Sequence, residues 1–112
     1  MIVEHSLPMR DMIKTVMSKF PHEFIECSDG EEAVKAYKQF RPDFTLMDVE
    51  MNPMDGLTAT KKIKSIDPGA RVIMVTNYGD KRTRDAARLA GAEGFVLKEN
   101  LLEVQKLITE ST

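Results

Sequence analysis

The chain has 112 residues, of which 42% are hydrophobic and 30% are charged. This length suits a single domain over residues 1–112 and excludes a two-domain enzyme, while the hydrophobic fraction can build a core and argues against disorder. Because the net charge is only −2, the chain lacks the basic footprint of an unaided DNA-binding domain, and we expect no direct binding of nucleic acid.

In chain order, the apolar patterns predict a strand at residues 2–4, a helix at 7–20, a strand at 24–27, a helix at 30–40, a strand at 44–47, a helix at 56–66, a strand at 71–75, a helix at 80–90, a strand at 94–97 and a helix at 101–109. Ser6 is placed to cap the first helix and Gly91 to end the fourth. Five strand–helix units of this length indicate an α/β fold, with parallel strands in a doubly wound sheet and helices on both faces.

Cysteine usage and hydropathy bear on where the protein works. The single cysteine, Cys27, excludes an intrachain disulfide and fits a reducing compartment, so we expect a cytoplasmic protein. Glu4 comes too early for a signal peptide, and the longest apolar runs are too short to span a membrane, so we expect no membrane association. The common nucleotide-binding loops, GxxxxGK followed by Ser or Thr and GxGxxG, do not occur.

Polar residues follow the predicted strands, and ligands of such sheets bind beyond the carboxyl ends of the strands. Glu4 and Asp48 would repel each other there unless a cation or a proton lay between them, and Mg²⁺ is the natural cation for oxygen ligands. Lys98 adds a positive charge and Thr76 a hydroxyl group. A carboxylate nucleophile, a hard cation and a lysine are the groups that handle a phosphoryl group, with an aspartyl phosphate as the intermediate.

Two segments carry a resemblance to a known family. Residues 48–56 read DVEMNPMDG and residues 91–98 read GAEGFVLK. They resemble the D-x-x-M-P-x-M-D-G loop and the G-A-x-G-(Y or F)-L-x-K segment of the response-regulator receiver (CheY-like) domains of two-component signalling, except that Asn52 separates Met51 from Pro53. The resemblance covers nearly the whole chain and implies the flavodoxin-like (βα)5 fold with strand order 2-1-3-4-5.

The resemblance also implies a role for individual positions. Asp48 matches the phosphoacceptor, Glu4 the first acid of the metal-binding pair, Glu50 the residue whose backbone carbonyl binds the metal, Thr76 the switch hydroxyl, Phe95 the switch aromatic and Lys98 the phosphate-pairing lysine. We therefore expect a signalling domain rather than an enzyme. This domain would accept a phosphoryl group from a histidine kinase or a phosphotransfer protein. Receivers often dimerise through the fourth helix, fifth strand and fifth helix, and the basic residues from Lys81 to Arg88 would lie on that surface.

Two positions depart from the family pattern. His5 stands where the second metal-binding acid is expected, and because Mg²⁺ prefers oxygen ligands we expect weakened Mg²⁺ binding, with softer ions such as Mn²⁺ less affected. Asn77 follows Thr76 where Ala or Gly is usual, and its larger side chain would crowd access to Asp48. These departures leave an alternative open, in which the chain is a pseudo-receiver that binds partners without phosphorylation and His5 is an ordinary polar residue.

Overall fold

The computed structural model describes residues 1–20 and 23–110. The strands are β1 (Ile2–Val3), β2 (Glu26–Cys27), β3 (Thr45–Asp48), β4 (Val72–Thr76) and β5 (Gly94–Leu97). The helices are α1 (Leu7–Met17), α2 (Gly30–Phe40), α3 (Gly56–Ile66), α4 (Lys81–Ala90) and α5 (Leu102–Glu110), with a short 3-10 helix at Lys98–Asn100. All strand pairs are parallel and the sheet order is β2-β1-β3-β4-β5, so the predicted fold and strand order are confirmed.

Two predicted boundaries are wrong by a few residues. Helix α1 ends at Met17 instead of residue 20, because both the N–H and the hydroxyl of Ser18 donate to the carbonyl of Thr15 and close the last turn. Strand β2 begins at Glu26 instead of residue 24. It lies at the edge of the sheet, and the carbonyl of Ile25 accepts a hydrogen bond from the N–H of Ile2 at 2.8 Å, so the contact with β1 begins one residue before the strand itself.

The central strands are buried on both faces, which is typical of parallel sheets covered by helices. Val3, Met47, Val72 and Met74 pack with residues of α2, α3 and α4 on one face of the sheet. On the other face, the residues that alternate with them pack against α1 and α5: Ile2, Leu46, Ile73 and Val75. Among the described residues, no helix is long and apolar enough to cross a bilayer.

Side chains in the loops that follow the strands cap the next helices. Ser6 accepts a hydrogen bond from the N–H of Met9, as predicted, and Asp29, Asp55 and Asp80 cap α2, α3 and α4 in the same way. Such caps satisfy an N–H group that the first helical turn leaves without a partner. Gly91 ends α4 with φ of 104°, a left-handed conformation that glycine adopts without a steric penalty.

Gly56 sets the distance between α3 and the end of β3. A Cβ atom at this position would lie 1.9 Å from the carbonyl oxygen of Asp48, and the N–H of Gly56 donates to the carbonyl of Val49 at 2.9 Å. Only glycine allows the backbone to approach this closely. The loop after Asp48 therefore folds back on itself, and α3 starts directly beside the strand end.

We expect Gly56→Ala to lower the free energy of unfolding by about 3 kcal/mol or more, since the new methyl group meets backbone that cannot move aside. Urea denaturation followed by circular dichroism measures the change. Gly69→Ala is the control, because the nearest atom to its added Cβ is a side-chain oxygen of Asp67 at 3.3 Å. Equal stabilities of the two variants would contradict the steric role of Gly56.

Candidate functional site

Four polar residues meet at the carboxyl edge of the sheet. Glu4 follows β1, Asp48 ends β3, Thr76 ends β4 and Lys98 follows β5. Glu4, Asp48 and Thr76 are exposed by 0%, 3% and 1%, so these polar groups are removed from bulk water. The structure brings these residues to one edge of the sheet, because neighbouring parallel strands end together.

Lys98 connects the two buried carboxylates. Its Nζ lies 2.8 Å from Oε1 of Glu4 and 3.4 Å from Oδ2 of Asp48. Burial by itself would lower the pKa of Lys98, but the hydrogen bond to Glu4 and the charge of Asp48 more than offset burial and raise this pKa overall. Lys98 is therefore a permanently charged ammonium group shared by two acids.

One ammonium group does not balance two carboxylates. Burial and, second, the negative charge of Glu4 raise the pKa of Asp48 from 3.8 to about 6, although Lys98 and the N–H of Glu50 act in the opposite direction. That N–H donates to Oδ1 of Asp48 at 3.3 Å, while the Glu50 side chain is exposed. The site consequently favours an additional positive charge near Asp48.

His5 lies at the solvent-facing rim of this cluster. Its Nδ1 is 3.4 Å from Oε2 of Glu4 and 3.8 Å from Oδ2 of Asp48, and the imidazole is 65% exposed. One ligand atom from each of these three residues lies within 4.8 Å of the others, so the group could hold a metal ion. The two carboxylate oxygens fit Mg²⁺, whereas the nitrogen of His5 is a poor ligand for this ion.

Thr76 lies on β4, the strand next to that of Asp48. It is one residue beyond Val75, which pairs with Asp48 in the sheet. The Thr76 hydroxyl oxygen accepts a hydrogen bond from the N–H of Tyr78 at 3.2 Å, so it is engaged with its own loop. Asn77, between them, is exposed. Thr76 is thus held near the cluster without belonging to the ion pairs.

Phe95 lies on β5, beneath α4, and is partly buried. The guanidinium carbon of Arg84 is 4.8 Å from the centre of the Phe95 ring, and the Nε–H of Arg84 donates to the carbonyl of Gly79 at 3.0 Å. The sequence assigned Arg84 only to a basic surface. Its contact with Phe95 was missed because nothing in the local pattern indicates which basic side chain of α4 folds back over β5.

The pKa of Asp48, raised from 3.8 to about 6, predicts that Asp48→Asn stabilises the metal-free fold by about 3 kcal/mol near neutral pH. Below about pH 4, Asp48 is protonated in both the folded and the unfolded chain, so the variant gains nothing. Between about pH 4 and about pH 6 the unfolded chain loses this proton first, the wild type loses stability, and the gain of the variant grows to a plateau.

Urea denaturation in the presence of a chelator, repeated across this pH range, measures the difference. Glu50→Gln is the control, because it removes an exposed acid two residues further along the chain. A stabilisation that is independent of pH, or that Glu50→Gln reproduces, would rule out burial of charge at Asp48 as its cause.

Comparisons with known proteins agree with this geometry. The sequence profile of the response regulator receiver domain matches residues 1–110. The chemotaxis protein CheY of Bacillus subtilis is 41% identical over 99 residues, which cover 88% of this chain and 82% of that protein.

Two solved structures are also similar. A LuxR-family two-component response regulator from Aurantimonas has a TM-score of 0.92, at 26% identity, over 98% of this chain and 81% of that one. CheY of Borrelia burgdorferi, in a complex with CheX, BeF3 and Mg²⁺, has a TM-score of 0.90, at 29% identity, over 98% of this chain and 85% of that one. The chain therefore belongs to the receiver domains of two-component response regulators.

Proposed function

We propose that this domain accepts a phosphoryl group on Asp48 from a histidine kinase or a phosphotransfer protein, and that the acylphosphate changes which partners the domain binds. The observation that carries the proposal is the buried Asp48 carboxylate, with the Lys98 ammonium 3.4 Å away and also 2.8 Å from the second acid, Glu4. This arrangement offers a nucleophile and a fixed positive charge at one point of the sheet edge.

In the transfer step, an Asp48 carboxylate oxygen forms a bond to phosphorus while the bond between phosphorus and the donor's imidazole nitrogen breaks. The electron pair of that bond stays on the imidazole. Asp48 reacts as the carboxylate, so its raised pKa favours transfer above about pH 6. Lys98 is within reach of both carboxylates and would pair with an oxygen of the bound phosphoryl group.

A divalent cation would assist this step. Glu4, Asp48 and the backbone carbonyl of Glu50 are the groups that would hold it, with His5 at the rim. When bound, the cation neutralises charge on the transferring oxygens. The cation in the complex of the similar Borrelia burgdorferi CheY is Mg²⁺, and the oxygen ligands of Glu4 and Asp48 support a divalent cation here.

Thr76 and Phe95 would transmit the change. A phosphoryl oxygen on Asp48 offers the Thr76 hydroxyl a strong acceptor, which draws Thr76 from its loop toward β3. The Phe95 ring then turns inward into the space that Thr76 leaves, and its contact with Arg84 is lost. Phosphorylation in this view shifts an equilibrium between two existing arrangements of these side chains.

The output surface would be formed by α4, β5 and α5. Lys81, Arg82 and Arg88 are exposed on α4, and Leu89 is 82% exposed beside them. Asp80 caps α4 and Asp85 pairs with Arg88 at 3.0 Å, so both acids already have partners within the helix. The exposed face of α4 is therefore basic around Leu89, which suits an acidic partner; a second copy of the chain would have to meet it with residues other than the same basic ones.

We expect acetyl phosphate and a divalent cation to add one phosphoryl group to the domain, with acetate as the leaving group, and intact-mass spectrometry to detect it. Asp48→Asn is the control and should remain unmodified. Lys98→Ala should react more slowly, because the charge on the phosphoryl oxygens is then less well neutralised.

An adduct that persists in Asp48→Asn would place the modification elsewhere. No adduct at any concentration of Mg²⁺ or Mn²⁺ would overturn the proposal and favour a receiver that binds partners without phosphate, an alternative to which the comparisons lend no support.

We expect Arg84→Ala to increase the inward population of the Phe95 ring about two- to fivefold in the unphosphorylated domain, which is the effect of removing a cation–π contact of about 0.5–1 kcal/mol. The ring chemical shifts of Phe95 in NMR spectra measure this population. Arg82→Ala removes the same charge from an exposed position of α4 and is the control. Equal shifts in both variants would indicate a general charge effect and contradict the specific role of Arg84.

A further inference from the structure

Glu4, His5 and Asp48 form a group that could hold a metal ion, and His5 offers a nitrogen atom where the other two offer oxygen. This difference changes which ion the site should prefer. We propose that Glu4, His5 and Asp48 bind a divalent first-row transition ion such as Mn²⁺, with Nδ1 of His5 as a direct ligand, in preference to Mg²⁺. The inference deepens the proposed function and rests on it for the purpose that the ion serves.

The distances between the three ligand atoms suit one ion. An octahedral ion with bonds of about 2.1 Å holds neighbouring ligand atoms about 3 Å apart and opposite ones about 4.2 Å apart. Nδ1 of His5 is 3.4 Å from Oε2 of Glu4 and 3.8 Å from Oδ2 of Asp48. The carboxylate oxygens of Glu4 and Asp48 lie within 4.8 Å of each other, so with these two oxygens opposite each other, contractions of less than one ångström would bring all three atoms onto a common ion.

The remaining contacts of the carboxylates leave these atoms accessible. Glu4 divides its two oxygens, since Oε1 contacts Lys98 while Oε2 faces His5 and accepts from the N–H of Ser6 at 3.1 Å. Asp48 directs Oδ1 to the N–H of Glu50, while its Oδ2 faces His5 and also lies 3.4 Å from Nζ of Lys98, which leaves room for a second contact on the solvent side. The exposed imidazole can turn at little cost, and water can complete the coordination from the solvent side.

Charge and ligand type both disfavour Mg²⁺. Two carboxylates and the Lys98 ammonium leave a single net negative charge, whereas a carboxylate at the position of His5 would have added one more. Mg²⁺ is bound mainly through charge and oxygen ligands, so its affinity falls. Transition ions form stronger bonds to imidazole than Mg²⁺ does. The bond to His5 therefore offsets the affinity that these ions lose through the missing negative charge.

Titrations of the wild type, His5→Asp and His5→Ala with MnCl₂ and MgCl₂ test the preference, with Mn²⁺ followed by electron paramagnetic resonance and Mg²⁺ by competition. We expect His5→Asp to lower the ratio of Mn²⁺ to Mg²⁺ affinity about tenfold, mainly by tighter Mg²⁺ binding, and His5→Ala to weaken Mn²⁺ binding. A tenfold change corresponds to about 1.4 kcal/mol. Because the His5 side chain is 65% exposed, both variants should fold, and circular dichroism verifies this.

Electron spin-echo modulation of bound Mn²⁺ gives a direct readout of the ligand. The wild type should show coupling to a histidine nitrogen, which changes on ¹⁵N labelling of histidine and disappears in both His5 variants. Absence of nitrogen coupling in the wild type, or an unchanged affinity ratio in His5→Asp, overturns the inference.

The acetyl phosphate experiment separates this inference from the proposed function. Nitrogen coupling without an adduct on Asp48 would overturn the phosphoacceptor role and leave the metal assignment standing. An adduct without nitrogen coupling would overturn the metal assignment alone.

Discussion

Two buried carboxylates that share one ammonium group dominate the chemistry of this domain. Glu4 and Asp48 have lost nearly all contact with water, and Lys98 compensates only one of their two charges. Buried charges are costly unless they are paired, so the second carboxylate charge destabilises the fold that surrounds the cluster. The raised pKa of Asp48 follows from this excess of negative charge, which the proposed binding of a divalent cation would relieve.

The architecture explains why these residues meet. β1 and β3 are neighbours in the sheet although β2 lies between them in sequence, so Glu4 and Asp48 come together where the strand order reverses. β5 is two strands from β3 in the sheet, yet the long side chain of Lys98 reaches back across the edge to both acids. Gly56 completes the arrangement, because it lets α3 begin against the Asp48 carbonyl.

Much of this was accessible from the sequence, for identifiable reasons. The alternation of strand and helix patterns indicates a parallel sheet, and parallel strands end at one edge, so the meeting of Glu4, Asp48 and Lys98 follows from the pattern. The strand order came from the resemblance. The division of the Glu4 oxygens and the folding of Arg84 over Phe95 were not predictable, because they depend on side-chain conformations that packing between distant segments selects. The predicted end of α1 was wrong for a similar reason. The hydrogen bonds from Ser18 to the Thr15 carbonyl end the helix, although the apolar spacing continues to Phe20.

The position of Asp48 within the sheet limits how the molecule can respond to any change there. β3 pairs on one side with β1 and on the other with β4, and side chains pack on both of its faces. Its backbone is therefore held rigidly, since any displacement would disrupt hydrogen bonds to both neighbouring strands and side-chain packing on both faces of the sheet. Motion is left to the rim, where a rotamer change or a loop shift disturbs little packing. Such rearrangements take place on the timescale of side-chain and loop motion, much faster than unfolding of the sheet.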